Sequence, residues 1–417
     1  MSDDLVAGLD IGTSKVCAII GEPNDSGDLE ITGVGKSPSA GIRKGVVVNI
    51  ESVLHSISQA VEAAEMMSGR VVTGCWVGVG GSHIESLISR GVVAVNGKNR
   101  EQREISREDV ERVLDAARAV DFPMDRQILD VIPQTYIVDS QSGIRDPLDM
   151  IGVRLESEVN IITCSMTSAQ NLVRCVNRAG FRVEGLVLQT LAAGRAVLTD
   201  EEKELGVALI DLGGGTTNLL VYHHGSPYLT ASIPAGGAQV SGDLSIVKNV
   251  SAETAERIKM EAGCCWEPLL EKDEDVIVPG MSGRAPFPIP RSQIVEIIRP
   301  RMEETFMMVK EKLRSININK PLGAGIVLTG GGANLLGAAD LAAAVFNTPV
   351  RVGCPLPVGG LVDDYRDSMY ATAVGLVLEG SDRSQGKTSA GSPSAVPESI
   401  VPSFFSKIGD WFKREFF

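Results

Sequence analysis

Leu5-Val-Ala-Gly-Leu-Asp10-Ile-Gly12-Thr13-Ser14-Lys15-Val-Cys-Ala-Ile-Ile20 and, about 200 residues further on, Val207-Ala-Leu-Ile-Asp211-Leu-Gly213-Gly214-Gly215-Thr216-Thr217-Asn218-Leu-Leu-Val-Tyr222 are two copies of one pattern. Each runs apolar segment, carboxylate, glycine bend, apolar segment, which reads as strand, tight turn, strand. Two such hairpins at this distance point to two lobes on one plan, each offering a glycine bend to a shared ligand. Glycine lets backbone N–H groups approach a phosphate with no Cβ in the way, and Thr and Ser hydroxyls add donors. Gly12, Thr13, Ser14 and Gly213, Gly214, Gly215, Thr216, Thr217 supply that chemistry, and Lys15 is placed to neutralise a β- or γ-phosphate. Asp10 and Asp211, each at a strand end, suit Mg²⁺ held through its waters, because that ion keeps much of its hydration shell. For a single turn the plainer reading is backbone geometry alone. Two matched copies and a third glycine cluster favour phosphate.

That third cluster, Gly325-Ile-Val-Leu-Thr329-Gly330-Gly331-Gly332-Ala333-Asn334, ends an apolar strand and precedes an expected helix over Leu335 to Phe346. No G-x-x-x-x-G-K-[ST] loop occurs, so this is not the P-loop solution to nucleotide binding. Between the repeats, helical and strand stretches alternate, as at Ser52 to Met67 and Val71 to Gly80, so the lobes read as mixed α/β. Residues 84–159 read as an insertion in which Ser106-Arg-Glu-Asp109 is a capping box opening a helix through Val120. The chain's 417 residues exceed one typical domain. Its net charge of −14, with no Lys/Arg block, makes nucleic acid a poor partner. Seven cysteines without a C-x-x-C pair fit a reduced, intracellular protein without a metal or disulfide framework. No run approaches the roughly 20 apolar residues of a spanning helix, so any bilayer contact is expected to be peripheral.

From Gly380 to about 402 the composition is that of a polar linker, and then the sequence turns aromatic. On a helical wheel Phe404, Phe405, Ile408, Trp411, Phe412 and Phe416 fall within an arc of roughly 140°, with Lys407, Asp410, Lys413 and Arg414 facing away. A helix over 403–417 is about 22 Å long and is expected to lie in a membrane interface. Docking in the chain's own core, against which the flexible leash argues, or in a partner groove is the alternative. Each buried apolar side chain contributes roughly 1.5–3 kcal/mol, whereas ordering costs about 1–2 kcal/mol per residue. One tail therefore binds weakly, and stable attachment calls for many tails on one assembly.

The ordered set Asp-Ile-Gly-Thr, Asp-Leu-Gly-Gly-Gly-Thr-Thr and Thr-Gly-Gly-Gly-Ala-Asn resembles the phosphate-1, phosphate-2 and adenosine motifs of the actin, sugar-kinase and heat-shock-chaperone superfamily. The resemblance implies an α/β, two-lobed actin-like (ribonuclease H-like) fold that binds ATP and Mg²⁺. It assigns adenosine contacts to Gly330, Gly331, Gly332 and Asn334. Glu256 and Lys259, similar to the chaperones' ribose-binding pair, would hold the sugar, a solvated i, i+3 ion pair being the plainer alternative. Gln189 matches the position that orients the attacking water. A Gln is no strong base, so hydrolysis is expected to be slow, and packing in its helix is the other reading.

With the insertion, the polar linker, the terminal helix and Val131-Ile-Pro-Gln-Thr-Tyr, nearly the whole chain resembles the FtsA family of bacterial cell division proteins. That likeness implies a peripheral protein on the cytoplasmic face of the inner membrane at the division site. It implies filaments of the chain itself, a tether for the tail of the tubulin-like protein FtsZ, and later division proteins contacting the insertion. It divides the chain into subdomain 1A at 1–83, 160–192 and 361–379, 1C at 84–159, 2A at 193–226 and 303–360, and 2B at 227–302. The linker is then 380–402 and the membrane helix 403–417. Arg291 and Arg301, on a helix running from Ser292 past Arg299, would meet the acidic FtsZ tail. Exposed charges that merely solvate that helix are the alternative. An ATP-dependent sugar-type kinase of the same superfamily stays open at this point; the terminal helix gives it no advantage.

Overall fold

The first hairpin pairs β1 (Val6–Ile11) antiparallel with β2 (Lys15–Pro23), and β3 (Leu29–Pro38) continues the meander. On the other side of β1, β4 (Gly74–Val79) and β5 (Arg182–Leu188) add in parallel, giving the order β5-β4-β1-β2-β3. The second hairpin repeats this with β6 (Val207–Leu212), β7 (Thr217–His223), β8 (Ser226–Ile233), β9 (Ile326–Thr329) and β10 (Val350–Val352), ordered β8-β7-β6-β9-β10. Strand senses match throughout: antiparallel toward the hairpin side, parallel toward the other. Even the register repeats. Asp10 lies opposite Cys17 and Asp211 opposite Asn218, each one pair before the bend. Two sheets of one topology make the two-lobed actin-like α/β fold expected from the sequence.

The computed structural model describes residues 5–24, 26–95, 103–280, 285–315 and 322–385. Among them, 5–86, 124–129 and 162–381 form one compact unit, which holds both sheets. Its helices include α1 (Ile50–Ser68), α2 (Gln189–Val197), α3 (Gly237–Lys248), α4 (Ala252–Ala262), α5 (Arg291–Ser315) and α6 (Ala371–Ser384). One apolar cluster takes Cys17, Ile19 and Ile31 from the first sheet and Leu209, Leu220 and Val327 from the second. Ala193, Ala196 and Val197 of α2 and Val374 and Val377 of α6 complete it. The two helices thus share one core with both sheets, and they pack closely: a Cβ on Gly375 would lie 1.8 Å from the Ala192 carbonyl oxygen. The other face of the second sheet buries Ile210, Leu212, Leu219 and Val221 with Leu244 of α3, Ile258 of α4 and Ile298 and Phe306 of α5.

The described residues of 87–123, 130–161 and 382–385 form a second unit. Its four-stranded sheet is ordered Gln141–Ile144, Arg126–Val138, Arg154–Ser165, Glu85–Ala94. The expected capping box is present: Ser106 accepts from the Asp109 N–H and Asp109 accepts from the Ser106 N–H. The helix it opens is Arg107–Arg118, ending just short of Val120.

Three elements differ from the sequence reading. The stretch after Thr329 is a 3-10 turn (Gly331–Asn334) and then a helix (Ala338–Phe346), because Gly337 sits between them at φ 80°. Helix α5 starts at Arg291, one residue before the expected Ser292, and runs on to Ser315 with the exposed Pro300 inside it. Helix α6 continues to Ser384, past the expected start of the linker at 380, with Glu379 and Gly380 buried. No helix among the described residues is long and apolar enough to cross a membrane.

Candidate functional site

The two bends close alike. Gly12 N–H donates to the Lys15 carbonyl at 2.9 Å, and Gly213 N–H to the Thr216 carbonyl at 3.0 Å. Their tips meet: a Cβ on Gly214 would lie 1.8 Å from Ser14 Oγ, and one on Gly215 would lie 2.6 Å from Thr13 Oγ1. Only glycine permits that approach. The Gly213 and Gly214 carbonyls accept from Gly237 and Ala238 N–H at the start of α3, at 2.9 and 2.7 Å. A trans peptide points its N–H opposite to its C=O, so the amides of Gly214 and Gly215 are turned away from α3 and can receive an anion. Thr217 corrects the sequence reading. Its buried hydroxyl donates to the Ala235 carbonyl at 2.8 Å, leaving Thr13, Ser14 and Thr216 as the hydroxyl donors of the bends.

Beneath the tips lie two buried carboxylates. Asp10 Oδ1 accepts from Gln189 Nε2 at 2.8 Å. Burial raises the Asp10 carboxyl above its usual range, against the pull of Lys15 and the Gln189 bond. Asp211 is pushed up to about 6, by burial first and then by the Asp10 charge, with an Asn218 hydrogen bond and Lys15 opposing. Burial, and for Asp211 the Asp10 charge as well, outweighs the pull of Lys15, and a cation held between the carboxylates would relieve that cost. No group of three or more His, Cys, Asp or Glu stands ready to hold a metal among the described residues. Two carboxylates without a full cage fit Mg²⁺ completed by phosphate oxygens and water.

Gln189 is the first residue of α2, and the backbone of β4 and its end walls it in. A Cβ on Gly80 would lie 1.9 Å from Gln189 Oε1. Lys15 Nζ donates to the Met369 carbonyl and sits 5.2 Å from the centre of the Tyr370 ring.

The third glycine turn abuts Asp211: a Cβ on Gly330, at φ 81°, would lie 2.2 Å from Asp211 Oδ1. Asn334 Nδ2 donates to Asp367 Oδ1 at 2.7 Å, so this motif residue is tied to a segment the sequence reading passed over. Gly331 and Gly332 form the turn between them. Glu256 and Lys259 form an ion pair at 2.7 Å, and Lys259 Nζ also donates to the Gly237 carbonyl at 3.0 Å. Ser241 Oγ donates to Glu256. The pair therefore lies against the α3 start on which the second bend rests.

Arg291 and Arg301 are already engaged. Arg291 Nε donates to the Ala262 carbonyl at 3.2 Å, and the Arg301 guanidinium forks onto Asp243 at 2.6 and 3.2 Å and also meets Glu304. What the sequence reading missed is the groove beside Arg301. It measures about 510 Å³ between α3 and α5; Ile246, Val247, Ile297 and Pro300 line it together with Asp243, Glu296, Arg301 and Glu304, and Ile246 is 80% and Val247 61% exposed. Spacing alone does not distinguish such residues from an ordinary amphipathic helix. The tail residues Phe404, Phe405, Ile408, Trp411, Phe412 and Phe416 lie outside the described residues.

Comparison with known proteins follows the same outline. A family model described as Cell division protein FtsA matches residues 208–375, and one described as SHS2 domain inserted in FTSA matches 81–163. The chain is 46% identical to the cell division protein FtsA of Borreliella burgdorferi over 418 residues, covering 100% of each chain. It is 43% identical to that of Pseudomonas aeruginosa (91% of this chain, 90% of the other) and 38% identical to that of Escherichia coli (99% and 98%). Among solved structures, a PilM-PilN type IV pilus biogenesis complex matches with TM-score 0.65 at 16% identity, covering 90% of this chain and 98% of the other. MreB5 of Spiroplasma citri bound to ADP matches with TM-score 0.55 at 14% identity, covering 91% and 98%. These last two likenesses are of fold.

Proposed function

The chain belongs to the FtsA family of cell division proteins, and from that premise we propose that it is an ATP-binding, self-assembling adaptor that holds FtsZ at the bacterial inner membrane. The observation that carries the reading is the duplicated hairpin with its paired buried carboxylates, glycine tips and turned-out amides. Gly12 to Lys15 and Gly213 to Thr216 would receive the β- and γ-phosphates, and Asp10 and Asp211 would hold Mg²⁺ through water. The Gly330–Asn334 turn and the Glu256/Lys259 pair would take the nucleoside. The ADP-bound and AMPPNP-bound MreB5 structures of the same fold support a nucleotide here.

Asp10 and Asp211 would hold Mg²⁺, which would supply charge neutralisation to the phosphates. Gln189, held by Asp10, orients a water without taking its proton, which supports slow turnover at most.

The groove of Ile246, Val247, Ile297 and Pro300 is the FtsZ-tail site in this reading: apolar anchors seat in it, and Arg301, shared with Asp243, meets the peptide's acidic groups. The segment 403–417 is the membrane anchor, effective when a filament presents many copies. The subdomain division given from sequence, with the end of 1A moved from 379 to Ser384, is part of the proposal, with 84–159 as the surface for later division proteins. Co-sedimentation with anionic liposomes tests the anchor. The full chain with Mg·ATP should pellet, and a chain lacking 403–417 should stay in the supernatant while binding ATP normally; pelleting of the shortened chain would refute it.

A further inference from the structure

We propose that Asp367 is a positioning residue of the cleft: it holds the turn Ser368–Tyr370 so that the Met369 carbonyl and the Tyr370 ring fix the Lys15 ammonium beside the phosphate bends. The inference rests on the reading that those bends receive a nucleotide triphosphate.

Its parts form one connected path. Asp367 Oδ1 accepts from the Met369 N–H at 2.8 Å, capping a 3-10 turn of three residues, and from Asn334 Nδ2 at 2.7 Å. Ser368 is fully buried. Its Oγ lies 2.9 Å from both the Gly330 carbonyl and Asn334 Oδ1, and its own carbonyl accepts from the Gly330 N–H at 3.2 Å. The turn is therefore fastened to the third glycine motif at several points. At its far end the Met369 carbonyl and the Tyr370 ring receive Lys15, which the first hairpin contributes. A lysine ammonium on a four-carbon stem has no fixed geometry of its own, so whatever binds it decides where its charge stands. Here the binding group is a turn whose shape Asp367 sets. A capping role alone would stabilise the turn and leave Lys15 indifferent to Asp367, and the two roles separate in a double-mutant cycle.

The experiment measures Mg²⁺-dependent binding of N-methylanthraniloyl-ATP to the full chain by fluorescence anisotropy. Lys15→Met and Asp367→Ala should each weaken binding by roughly tenfold, the scale of one charge-assisted contact. The double variant should be no weaker than Lys15→Met alone to within about twofold, because Asp367 acts through a group already removed. Asp367→Asn should keep the wild-type affinity, since its amide oxygen still accepts both bonds. Should Asp367→Ala not fold, Tyr370→Leu takes its place, with a several-fold loss that vanishes in the Lys15→Met background. Additive losses, or unchanged affinity in Asp367→Ala, overturn the positioning role while nucleotide binding stands. A wild-type chain that does not bind the analogue overturns both.

Discussion

Replacing Asp211 by asparagine should make the nucleotide-free protein more stable at pH 7 while removing its response to Mg·ATP. The carboxyl is raised from 3.8 to about 6, mainly by burial and then by the charge of Asp10. A rise of about two units corresponds to ~3 kcal/mol of unfavourable free energy for the ionised side chain in the folded state. The sign follows from proton counting. Between about pH 4 and 6 the folded chain holds a proton that the unfolded chain has released, so stability falls as pH rises through that window. The cost is complete above pH 6 and absent below pH 4. Asparagine has the same shape, carries no charge and keeps an oxygen to accept from Asn218. Its advantage over wild type should therefore approach ~3 kcal/mol at pH 7 and fade toward pH 4.

Denaturant midpoints measured across that range give the comparison directly. Adding Mg·ATP at a hundredfold excess over its Kd should stabilise wild type by about 2.7 kcal/mol and leave the variant unmoved. A variant less stable than wild type at pH 7, or an advantage that persists undiminished at pH 4, would refute the electrostatic argument. An equal response to Mg·ATP would remove Asp211 from the cation site.

Other substitutions address separate parts of the account. Gly214→Ala places a methyl 1.8 Å from Ser14 Oγ and should lower ATP affinity more than tenfold in isothermal titration, with the melting temperature nearly kept; unchanged affinity would mean the tips can part freely. Val247→Glu puts a charge on the apolar rim of the α3–α5 groove and should weaken capture of an FtsZ tail peptide about tenfold or more in anisotropy, the scale of a lost interface anchor; wild-type affinity would move the site elsewhere. Gln189→Ala should abolish single-turnover ATP hydrolysis while changing ATP affinity by less than about threefold, the pattern of a group that acts only in the transition state; retained hydrolysis would assign Gln189 to packing.

The duplicated architecture was legible because each hairpin writes its own signal: buried strands of continuous apolar residues, then Asp and Gly where the chain must turn. Asp10 and Asp211 could be picked out by their matched places before the bends, and the equal register of the two hairpins follows from that match. Thr217 was harder, since a hydroxyl beside a glycine bend reads as a ligand until the strand pleat is known to aim it at Ala235. Asp367 carries no motif. Its importance comes from meeting Asn334 and, through Met369, Lys15, partners 33 and more than 300 positions away, and no local spacing encodes such contacts. Nor does a helix sequence reveal that Asp243 on another helix shares the charge of Arg301.

The central claim is that the two hairpins grip one triphosphate. A crystal of the full chain grown with Mg²⁺ and AMPPNP tests it most directly. The account predicts β- and γ-phosphate density against the amides of Gly214 and Gly215 and the hydroxyls of Ser14 and Thr216, with one hydrated Mg²⁺ between Asp10 and Asp211. Phosphates bound away from both bends, or hairpin tips still touching at saturating nucleotide with nothing between the carboxylates, would contradict it.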